Sequence, residues 1–408
     1  MNSERWKTET IGDLLSLEYG AGLKESDRSG LGYPVYGSNG VVGYHKKYLV
    51  NGPGIIVGRK GSVGAVHWSD DSFWPIDTAY YVETKKEDIN LRWCYWALQF
   101  TELSRLDSST GVPGLNRNDA YKLKINLPNE QEQLQIARIL DTTDEAIQRT
   151  EQLIAKLKAI KQGLLHDLLT RGLDENGQLR DPIAHPEQFK DSPLGRIPKE
   201  WVITQIKNVC FLLNGFAFKP DDWGNRGLPI IRIQNLNGSQ EFNYYNEPIS
   251  EDFIIPPGTL LFSWSGNRGT SFGPYIWKGP MGVLNQHIFK VTPKQGIRLK
   301  WLYYAFDEIR QRAERAAHGG SGLVHVRRED LQKYLLAKPD EGEQERIEKV
   351  LESKDSNLQT EEHYLLKLKL LKKGLMHDLL TGEVRVRIDD GEGKEYTHKE
   401  TTEKIEEE

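Results

Sequence analysis

Two histidine–aspartate pairs are the first residues whose types suggest chemistry, because imidazole and carboxylate groups serve as metal ligands and acid–base groups. His166-Asp167 recurs as His377-Asp378 near the end of a second, similar segment. Adjacent residues on a helix point about 100° apart, so one pair cannot form a compact metal site, and no further His/Asp cluster accompanies it. We predict no metal site, and expect these pairs to end helices or to contact a partner subunit.

Other catalytic patterns are incomplete. Residues 339–340 (Pro-Asp) and 352–354 (Glu-Ser-Lys) have the order of a nuclease motif. However, an earlier segment of similar sequence has Asn129 and residues 141–143 (Asp-Thr-Thr) at the matching positions, so the two segments do not share the motif. The sequence also lacks the phosphate-loop and dinucleotide-binding glycine motifs and the Asp/Asn-Pro-Pro-Tyr/Phe motif of adenine methyltransferases. We predict no catalytic residue in this chain.

The composition is that of a folded protein with more than one domain. The 408 residues are 38% apolar, 28% charged and 10% aromatic, which allows two hydrophobic cores. The sequence has neither an apolar run long enough to cross a membrane nor a signal peptide at its start, so we expect a cytoplasmic protein. Cys94 and Cys210 lack a CxxC neighbour and are expected to be reduced thiols.

The negative charge is concentrated at the C-terminal end. The formal net charge is −5, and residues 389–408 hold nine acidic residues and three lysines, so the rest of the chain carries +1. A net charge near zero for the rest of the chain is compatible with a basic surface but does not demonstrate one. The acidic segment is typical of a disordered, solubilising tail, with an interaction tail as the alternative.

A long-period internal repeat is the main feature of the sequence. Residues 128–170 align without a gap with residues 339–381 at an offset of 211, and 20 of the 43 positions are identical. Both copies begin with Pro, Glu, Glu and Gln at matching positions (128, 130, 132 and 133 in the first), and both end in Gly-Leu-Leu/Met-His-Asp-Leu-Leu-Thr. The repeat predicts two equivalent segments.

Both segments have the heptad spacing of coiled-coil helices. The predicted apolar seam consists of Ile136, Leu140, Ile147, Ile154, Leu157 and Leu164 in the first copy and Ile347, Leu351, Leu358, Leu365, Leu368 and Leu375 in the second. Polar residues occupy further seam positions, namely Thr143, Thr150 and Lys161 in the first and Lys354, Glu361 and Lys372 in the second. A helix of about 40 residues is about 60 Å long, the length of a strut between two objects.

The preceding segments repeat more weakly. Trp6 and Gly20 match Trp201 and Gly215 at an offset of 195, and the Gly-rich run from Gly54 parallels the run from Gly258. Short β-like runs dominate both, so we predict an α+β fold with two β-rich cores. The predicted organisation is domain 1 (1–126), long helix (127–170), linker (171–198), domain 2 (199–337), long helix (338–382) and acidic tail (383–408).

These motifs, occurring twice and in this order, resemble the specificity subunits of type I restriction–modification systems over nearly the full length. The segment from Phe189 to Trp201, which leads into the second half of the chain, is similar to a further region of that family. The resemblance implies two target-recognition domains, each reading one half of a bipartite, asymmetric target in double-stranded DNA. It also implies that the two long helices pack antiparallel as a spacer.

The resemblance further implies partner subunits that supply the chemistry. Two modification subunits would transfer a methyl group from S-adenosylmethionine to adenine, and restriction subunits would use ATP, with Mg²⁺, to move and cut DNA. No cofactor is expected on this chain.

Candidate DNA contacts lie in loops where Gly, Ser and Asn accompany basic or aromatic residues, because such loops approach phosphates and base edges. In the first half they are Ser38, Asn39, Tyr44, His45, Lys46, Lys47, Arg59, Lys60, Ser62, Thr110, Asn116 and Arg117. In the second half they are Arg232, Gln234, Asn235, Ser263, Trp264, Asn267, Arg268, Asn285, Gln286, His287, Ser321, His325, Arg327 and Arg328. We single out Arg59-Lys60, which follows a predicted strand and has a counterpart within residues 263–268.

Each candidate also has a simpler interpretation as a solvated surface or turn position. The Asn-Gly steps at 39–40 and 237–238, for example, are typical of hairpin turns. Two alternative functions stay open at this stage: a self-sufficient nuclease or methyltransferase, and a coiled-coil scaffold whose globules bind protein or carbohydrate.

Overall fold

The computed structural model describes residues 6–106, 114–316 and 323–387. The chain forms two compact units, one comprising residues up to 152 together with those from 363 onward, and the other residues 153–362. Each long helix therefore contributes to both units, whereas the sequence suggested helices outside the globular domains. No helix in the described ranges has the length and apolarity needed to cross a membrane.

The first unit is built on short strands and three short helices. The strands are β1 (Lys7–Thr10), β2 (Leu15–Tyr19), β3 (Tyr33–Gly37), β4 (Gly40–His45), β5 (Gly54–Gly58), β6 (Val66–Ser69), β7 (Trp74–Pro75), β8 (Ala79–Thr84) and β9 (Lys124–Leu127). The helices are α1 (Ile11–Leu14), α2 (Leu91–Phe100) and α3 (Arg117–Tyr121), followed by the long helix α4 (Glu130–Thr170).

The central sheet of the first unit is antiparallel, with strand order β2-β8-β5-β6. A second sheet has the order β4-β3-β7, and β1 pairs with β9. Helix α2 begins where the side chain of Asn90 accepts a hydrogen bond from the Trp93 amide, the usual role of Asn at a helix start. The α2 residues Trp93 and Trp96 are fully buried in the core.

The second unit has the same kinds of elements. Its strands are β10 (Phe189–Ser192), β11 (Gly195–Pro198), β12 (Val202–Gln205), β13 (Cys210–Asn214), β14 (Leu228–Ile231), β15 (Tyr244–Tyr245), β16 (Ile254–Ile255), β17 (Leu260–Ser263), β18 (Ser265–Asn267), β19 (Gly273–Ile276), β20 (Gly282–Leu284), β21 (Ile288–Pro293), β22 (Leu323–His325) and β23 (Leu335–Lys338). Its helices are α5 (Ile206–Val209), α6 (Ile233–Leu236), α7 (Leu299–Ala316) and α8 (Arg328–Lys333), followed by the long helix α9 (Glu341–Thr381).

The two units share the topology of their central sheets. The central sheet of the second unit has the order β13-β21-β17-β19, strand for strand the order of the first, and β12 pairs with β23 as β1 pairs with β9. The strand register places Gly58 opposite Ala79 in one unit and Ser263 opposite Ile288 in the other. The sequence comparison that set the run from Gly54 beside the run from Gly258 is therefore off by one residue in these strands.

A glutamine in the first turn of each long helix explains part of the repeated motif. The Gln133 side chain accepts a hydrogen bond from the Asn90 amide and donates to the carbonyls of Asp88 and Pro128. Gln344 makes the same three kinds of contact with Arg298, Gly296 and Pro339. Because Asp88 and Asn90 precede α2, and Gly296 and Arg298 precede α7, the glutamine fixes each globular core to the start of its long helix.

The neighbouring glutamate of the motif is buried in both units. Glu343 accepts hydrogen bonds from the Trp201 indole (2.9 Å) and the Arg180 guanidinium (2.5 Å). Glu132 accepts from the Trp6 indole (2.9 Å) and from Arg385 (2.6 Å). A buried carboxylate needs such partners to offset its lost hydration, so the repeated Glu-Gln step serves the fold.

The long helices pair antiparallel within each unit. In the first unit Lys372 forms an ion pair with Asp144 and Lys369 with Glu151. Residue numbers therefore increase along one helix in the direction in which they decrease along the other. In the second unit Lys161 and Lys158 bond in the same way to Asp355 and Glu362. The predicted α+β fold and antiparallel helix pairing are confirmed.

The predicted seam residues are buried or half-buried in both helices. Ile136, Leu140, Ile347 and Leu351 are completely buried. However, these four pack within the globular cores of their units, so the first turns of each long helix extend a core and are not only part of a helix–helix seam. The polar seam residues Thr143 and Thr150 donate side-chain hydrogen bonds to helix carbonyls four residues back.

Candidate nucleic-acid interface

One edge of the central sheet in the first unit gathers several candidate residues. Strand β2 ends at Tyr19 opposite Tyr80, and β5 ends at Gly58 opposite Ala79, so both ends lie at the same edge. We call Tyr19, Arg59, Lys60, Ser62 and Arg117, which lie at this edge, the first-unit tip. Sequence analysis missed Tyr19, although it precedes Gly20, a glycine that recurs as Gly215.

The tip concentrates positive charge around an exposed aromatic ring. The guanidinium carbons of Arg59 and Arg117 lie 4.8 Å and 4.9 Å from the Tyr19 ring centroid. Arg59 donates to the Asp77 carbonyl (2.9 Å) and Arg117 to the Leu17 carbonyl (3.2 Å). The ring is 48% exposed, so the cluster faces solvent.

The β3–β4 hairpin separates the remaining first-unit candidates into two groups. Ser38 and Asn39 form its turn, and the Ser38 hydroxyl lies beside Gly61, near the tip. His45 pairs with Tyr33 at the other end of the hairpin, about 15 Å away at 3.3 Å per residue. The candidates Tyr44, His45, Lys46 and Lys47 therefore lie away from the tip.

Two further first-unit candidates have other positions. The side chain of Asn116 accepts a hydrogen bond from the Asn118 amide and so starts helix α3, although the residue is exposed. Thr110 lies outside the described residues.

The second-unit tip is the corresponding edge of the second unit, formed by Trp264, Gln286, His287 and His325. The Trp264 ring lies 5.3 Å from the His287 ring and 4.8 Å from the His325 ring. Its indole donates to the Gln286 carbonyl (3.1 Å), and Gln286 and His287 are hydrogen-bonded to each other through their side chains. Arg327 and Arg328 follow at the start of α8 and are exposed.

Backbone hydrogen bonds show that Trp264 occupies the place of Arg59. The Arg59 amide donates to Thr78, and the Arg59 carbonyl accepts from Leu115. In the second unit the Trp264 amide donates to His287, and the Trp264 carbonyl accepts from Val326. The two tips thus share one scaffold and differ in side-chain chemistry.

The remaining second-unit candidates divide by burial. Asn235 and Ser263 are buried and use their side chains for internal hydrogen bonds, so the prediction that they contact DNA is corrected. Arg232, which bonds to Asn243, and Asn285 are half-buried, and the neighbouring Gln234 is exposed.

Two candidates lie at the end of β18 and in the turn that follows it, and a third falls beyond the described residues. Asn267 and Arg268 are exposed, and the Asn267 amide donates to the Ser271 hydroxyl. Ser321 lies outside the described residues.

A cleft on another face of the first unit is unsuited to phosphate. It measures about 890 Å³ and is lined by residues of strands β4 and β6 and of helices α2 and α4. Its charged lining consists of the carboxylates of Asp70, Asp141, Asp144 and Glu145 and of the one guanidinium of Arg92. Carboxylates repel a polyanion, whereas the first-unit tip carries the basic side chains of Arg59, Lys60 and Arg117.

The histidine–aspartate pairs differ between the repeats. His377 lies 3.5 Å from Asp378 and 3.6 Å from Glu383, and ligand atoms of the three side chains lie within 4.8 Å of one another. The sequence argument did not anticipate Glu383. In the first repeat His166 lies 3.8 Å from Glu308 of α7. Both histidine side chains are more than half exposed, and the expectation that these pairs end helices or contact a partner subunit stays a prediction.

Comparison with known proteins decides the family. The family described as Type I restriction modification DNA specificity domain matches residues 3–159 and 198–370. The chain belongs to this family. Its two matched segments coincide with the two halves of the internal repeat, and the recognition made from the repeated motifs is confirmed.

Relatives and solved structures agree with this assignment. The chain is 24% identical to the type I restriction enzyme MjaVIII specificity subunit of Methanocaldococcus jannaschii, over 82% of this chain and 76% of the relative. It is 26% identical to the EcoBI specificity subunit of Escherichia coli, over 46% and 40%. In fold it is similar to the S subunit of M. genitalium, with a TM-score of 0.61, 17% identity and 93% and 97% coverage.

The family assignment answers the question of catalysis. Specificity subunits recognise DNA and are not catalytic, which agrees with the prediction that this chain has no catalytic residue. The chain is thus a type I restriction–modification specificity subunit, and a self-sufficient nuclease or methyltransferase is no longer a candidate.

Proposed function

We propose that each unit of this specificity subunit reads one half of a bipartite, asymmetric DNA target through its tip. The observation that carries this proposal is the replacement of Arg59 by Trp264 on the same backbone hydrogen bonds. A shared scaffold suits a common mode of approach to the duplex, while a guanidinium and an indole select different base edges. Two different half-sites follow from two different tips.

Paired substitutions test this assignment. Target sequences are first obtained by mapping methylated sites in DNA from cells that carry the intact system. Arg59→Ala should weaken binding to one half-site by about 1 to 3 kcal/mol and leave discrimination at the other unchanged. Trp264→Ala should do the converse. Equal losses on every sequence from both variants would contradict base reading by the tips.

We propose that the paired long helices set the spacer and carry two modification subunits. Apolar residues that are not in the seam recur at equivalent, exposed positions, with Leu153 (42%) and Ile160 (57%) on α4 matching Tyr364 (49%) and Leu371 (53%) on α9. Exposed apolar stripes of this kind mark protein contact surfaces. Two equivalent stripes fit two copies of one partner.

The chemistry in this proposal belongs to partner subunits. S-adenosylmethionine would bind to the modification subunits, and ATP and Mg²⁺ to the restriction subunits. The assembly would act on double-stranded DNA in the cytoplasm.

The sequence had left open a coiled-coil scaffold whose globular units bind protein or carbohydrate, and the family match does not favour it. Salt titration separates the two functions, because phosphate contacts release counterions and make DNA affinity fall steeply with salt. A steep fall supports the specificity function. Weak DNA affinity that is insensitive to salt would favour the scaffold.

A further inference from the structure

Tyr19 is an exposed aromatic residue shared by two arginines. Both guanidinium carbons lie within 5 Å of its ring centroid, so they are no more than about 10 Å from each other. Cations are attracted to the electron-rich face of an aromatic ring. The phenol ring is therefore in contact with both cations.

Both guanidinium groups retain capacity for an outside partner. Each donates a hydrogen bond to a backbone carbonyl, and Arg59 also lies beside the Tyr80 ring; these contacts leave some of the five N–H donors of each group for an outside partner. Neither forms an ion pair with a carboxylate among the described residues. Two neighbouring cations that form no ion pair within the described ranges favour a ligand that offers anionic or strongly accepting groups.

The backbone that carries Arg59 is fixed before any ligand arrives. Its amide donates to Thr78 (2.9 Å), and its carbonyl accepts from Leu115 (2.8 Å). The Tyr80 hydroxyl also donates to the Leu115 carbonyl (3.1 Å). Arg117 occupies the first turn of α3. Binding therefore orders little additional chain, which favours precise contacts with a base.

The second unit lacks this arrangement. Tyr19 pairs with Tyr80, and Asn214 pairs with Phe289 at the equivalent position. Each is followed by a glycine whose Cβ would lie 2.2 Å from a carbonyl oxygen, of Ile76 in the first unit and of Asn285 in the second. Asn214 thus replaces Tyr19, as Trp264 replaces Arg59, so a role of Tyr19 concerns one half-site only.

We propose that Tyr19 is a positioning residue that holds Arg59 and Arg117 as a paired reader of guanine in the half-site bound by the first unit. This inference rests on the proposed function. A guanidinium fork matches the O6 and N7 acceptors of guanine in the major groove. Phosphate offers the same acceptor chemistry, so the two sources must be distinguished by experiment.

The experiment measures the affinity of the full specificity subunit, assembled with its modification subunits, for its mapped target. Tyr19→Leu should lower affinity about 10-fold or more, since a good bidentate contact is worth about that factor, and should abolish discrimination at guanine in one half-site. Tyr19→Phe keeps the ring and should restore both. Tyr48→Leu, an equally exposed tyrosine (45%) outside the tip, is the matched control and should change neither.

Modified DNA separates the two sources of acceptors. Replacing guanine by 7-deazaguanine removes N7 and should weaken binding of the unaltered protein but not of the Tyr19→Leu variant. Methylphosphonates at the adjacent phosphates should weaken both equally. The reverse pattern, or a first half-site without guanine, would overturn the proposal.

A second variant keeps the test decisive if Tyr19→Leu does not fold. Arg59→Lys with Arg117→Lys retains both charges but loses the planar forks, and should lose guanine discrimination with a smaller loss of overall affinity. Retained guanine discrimination would overturn the proposal. Absence of any preference for the target by the unaltered protein would instead refute the proposed function itself.

Discussion

The ammonium group of Lys372 lies 2.5 Å from the carboxylate of Asp144, joining α9 to α4 within the first unit. The second unit repeats this contact with Lys161 and Asp355, which are the same positions of the repeat in exchanged roles. Both lysines also lie near an aromatic ring, Lys372 at 4.6 Å from that of Trp96. The pairing of the long helices is thus fixed twice by one arrangement of charges.

We expect the Lys372–Asp144 pair to contribute measurably to stability. Both side chains are about one fifth exposed, and a hydrogen bond between charged groups with this shielding is worth about 1 to 3 kcal/mol. Urea unfolding of Lys372→Ala, Asp144→Ala and the double variant gives the coupling energy. The exposed pair Arg149–Glu145 is the control and should show coupling near zero. Coupling no larger than that control would contradict the role of the pair.

A fragment ending near Thr170 should pair with itself. Helix α4 contains both residues of the ion pair that joins the long helices, Asp144 and Lys161. Because Lys161 is the repeat equivalent of Lys372, Asp144 of one copy can pair with Lys161 of a second copy. Glu151 and Lys158 are complementary in the same antiparallel arrangement. We expect a dimer of residues 1–172 in analytical ultracentrifugation.

Charge exchange provides the control for that fragment. Lys161→Asp should produce monomers through repulsion from Asp144, and adding Asp144→Lys should restore the dimer. A fragment that stays monomeric in all forms would count against the coiled-coil pairing.

Sequence analysis predicted the long helices well because a heptad period constrains every third or fourth residue over many turns. It could not show that Ile136 and Ile347 pack within globular cores, since a core position and a seam position carry the same apolar residues. The division of each helix between two compact units likewise depends on contacts that no local pattern encodes.

The tips were less predictable. Sequence analysis placed the counterpart of Arg59-Lys60 only within a range, residues 263–268, and the strand register narrows the counterpart of Arg59 to Trp264. A shift of one residue exchanges the two faces of a strand, so the range alone could not decide which side chain takes its place. Tyr19 was missed because an aromatic residue at a strand end is also typical of a core. Asn235 was predicted to contact DNA because the Asn side chain suits a base contact, but the same side chain is equally suited to capping a turn.

We expect both thiols to be unreactive in the folded protein. Cys94 and Cys210 are buried, and burial raises the pKa of Cys210 to about 12 and that of Cys94 also upward. Since the thiolate is the reactive form, alkylation by iodoacetamide at pH 8 should be slow until urea unfolds the chain. Rapid labelling of the native protein would contradict this burial.

The same shifts predict a loss of stability at alkaline pH. The unfolded chain ionises its thiols near their usual pKa of about 8.5, whereas the folded chain keeps them protonated. Below that pH the thiols are neutral in both states and do not change the free energy of unfolding. Above it only the unfolded chain loses the protons, so the free energy of unfolding falls as pH rises. Cys210→Ala should reduce this slope in urea unfolding between pH 8 and 10.

The exposed stripes on the long helices should bind modification subunits independently. Leu153→Glu with Ile160→Glu places charge in one stripe, and Tyr364→Glu with Leu371→Glu does so in the other; all four side chains are 42–57% exposed, so folding should be retained. Each double variant should lose one modification subunit in native mass spectrometry, because buried charge is costly at an apolar contact, and the quadruple variant should lose both. Arg149→Glu with Thr360→Glu, at another pair of equivalent and exposed positions, is the control and should leave two subunits bound. Full occupancy in the quadruple variant would show that the partners dock elsewhere.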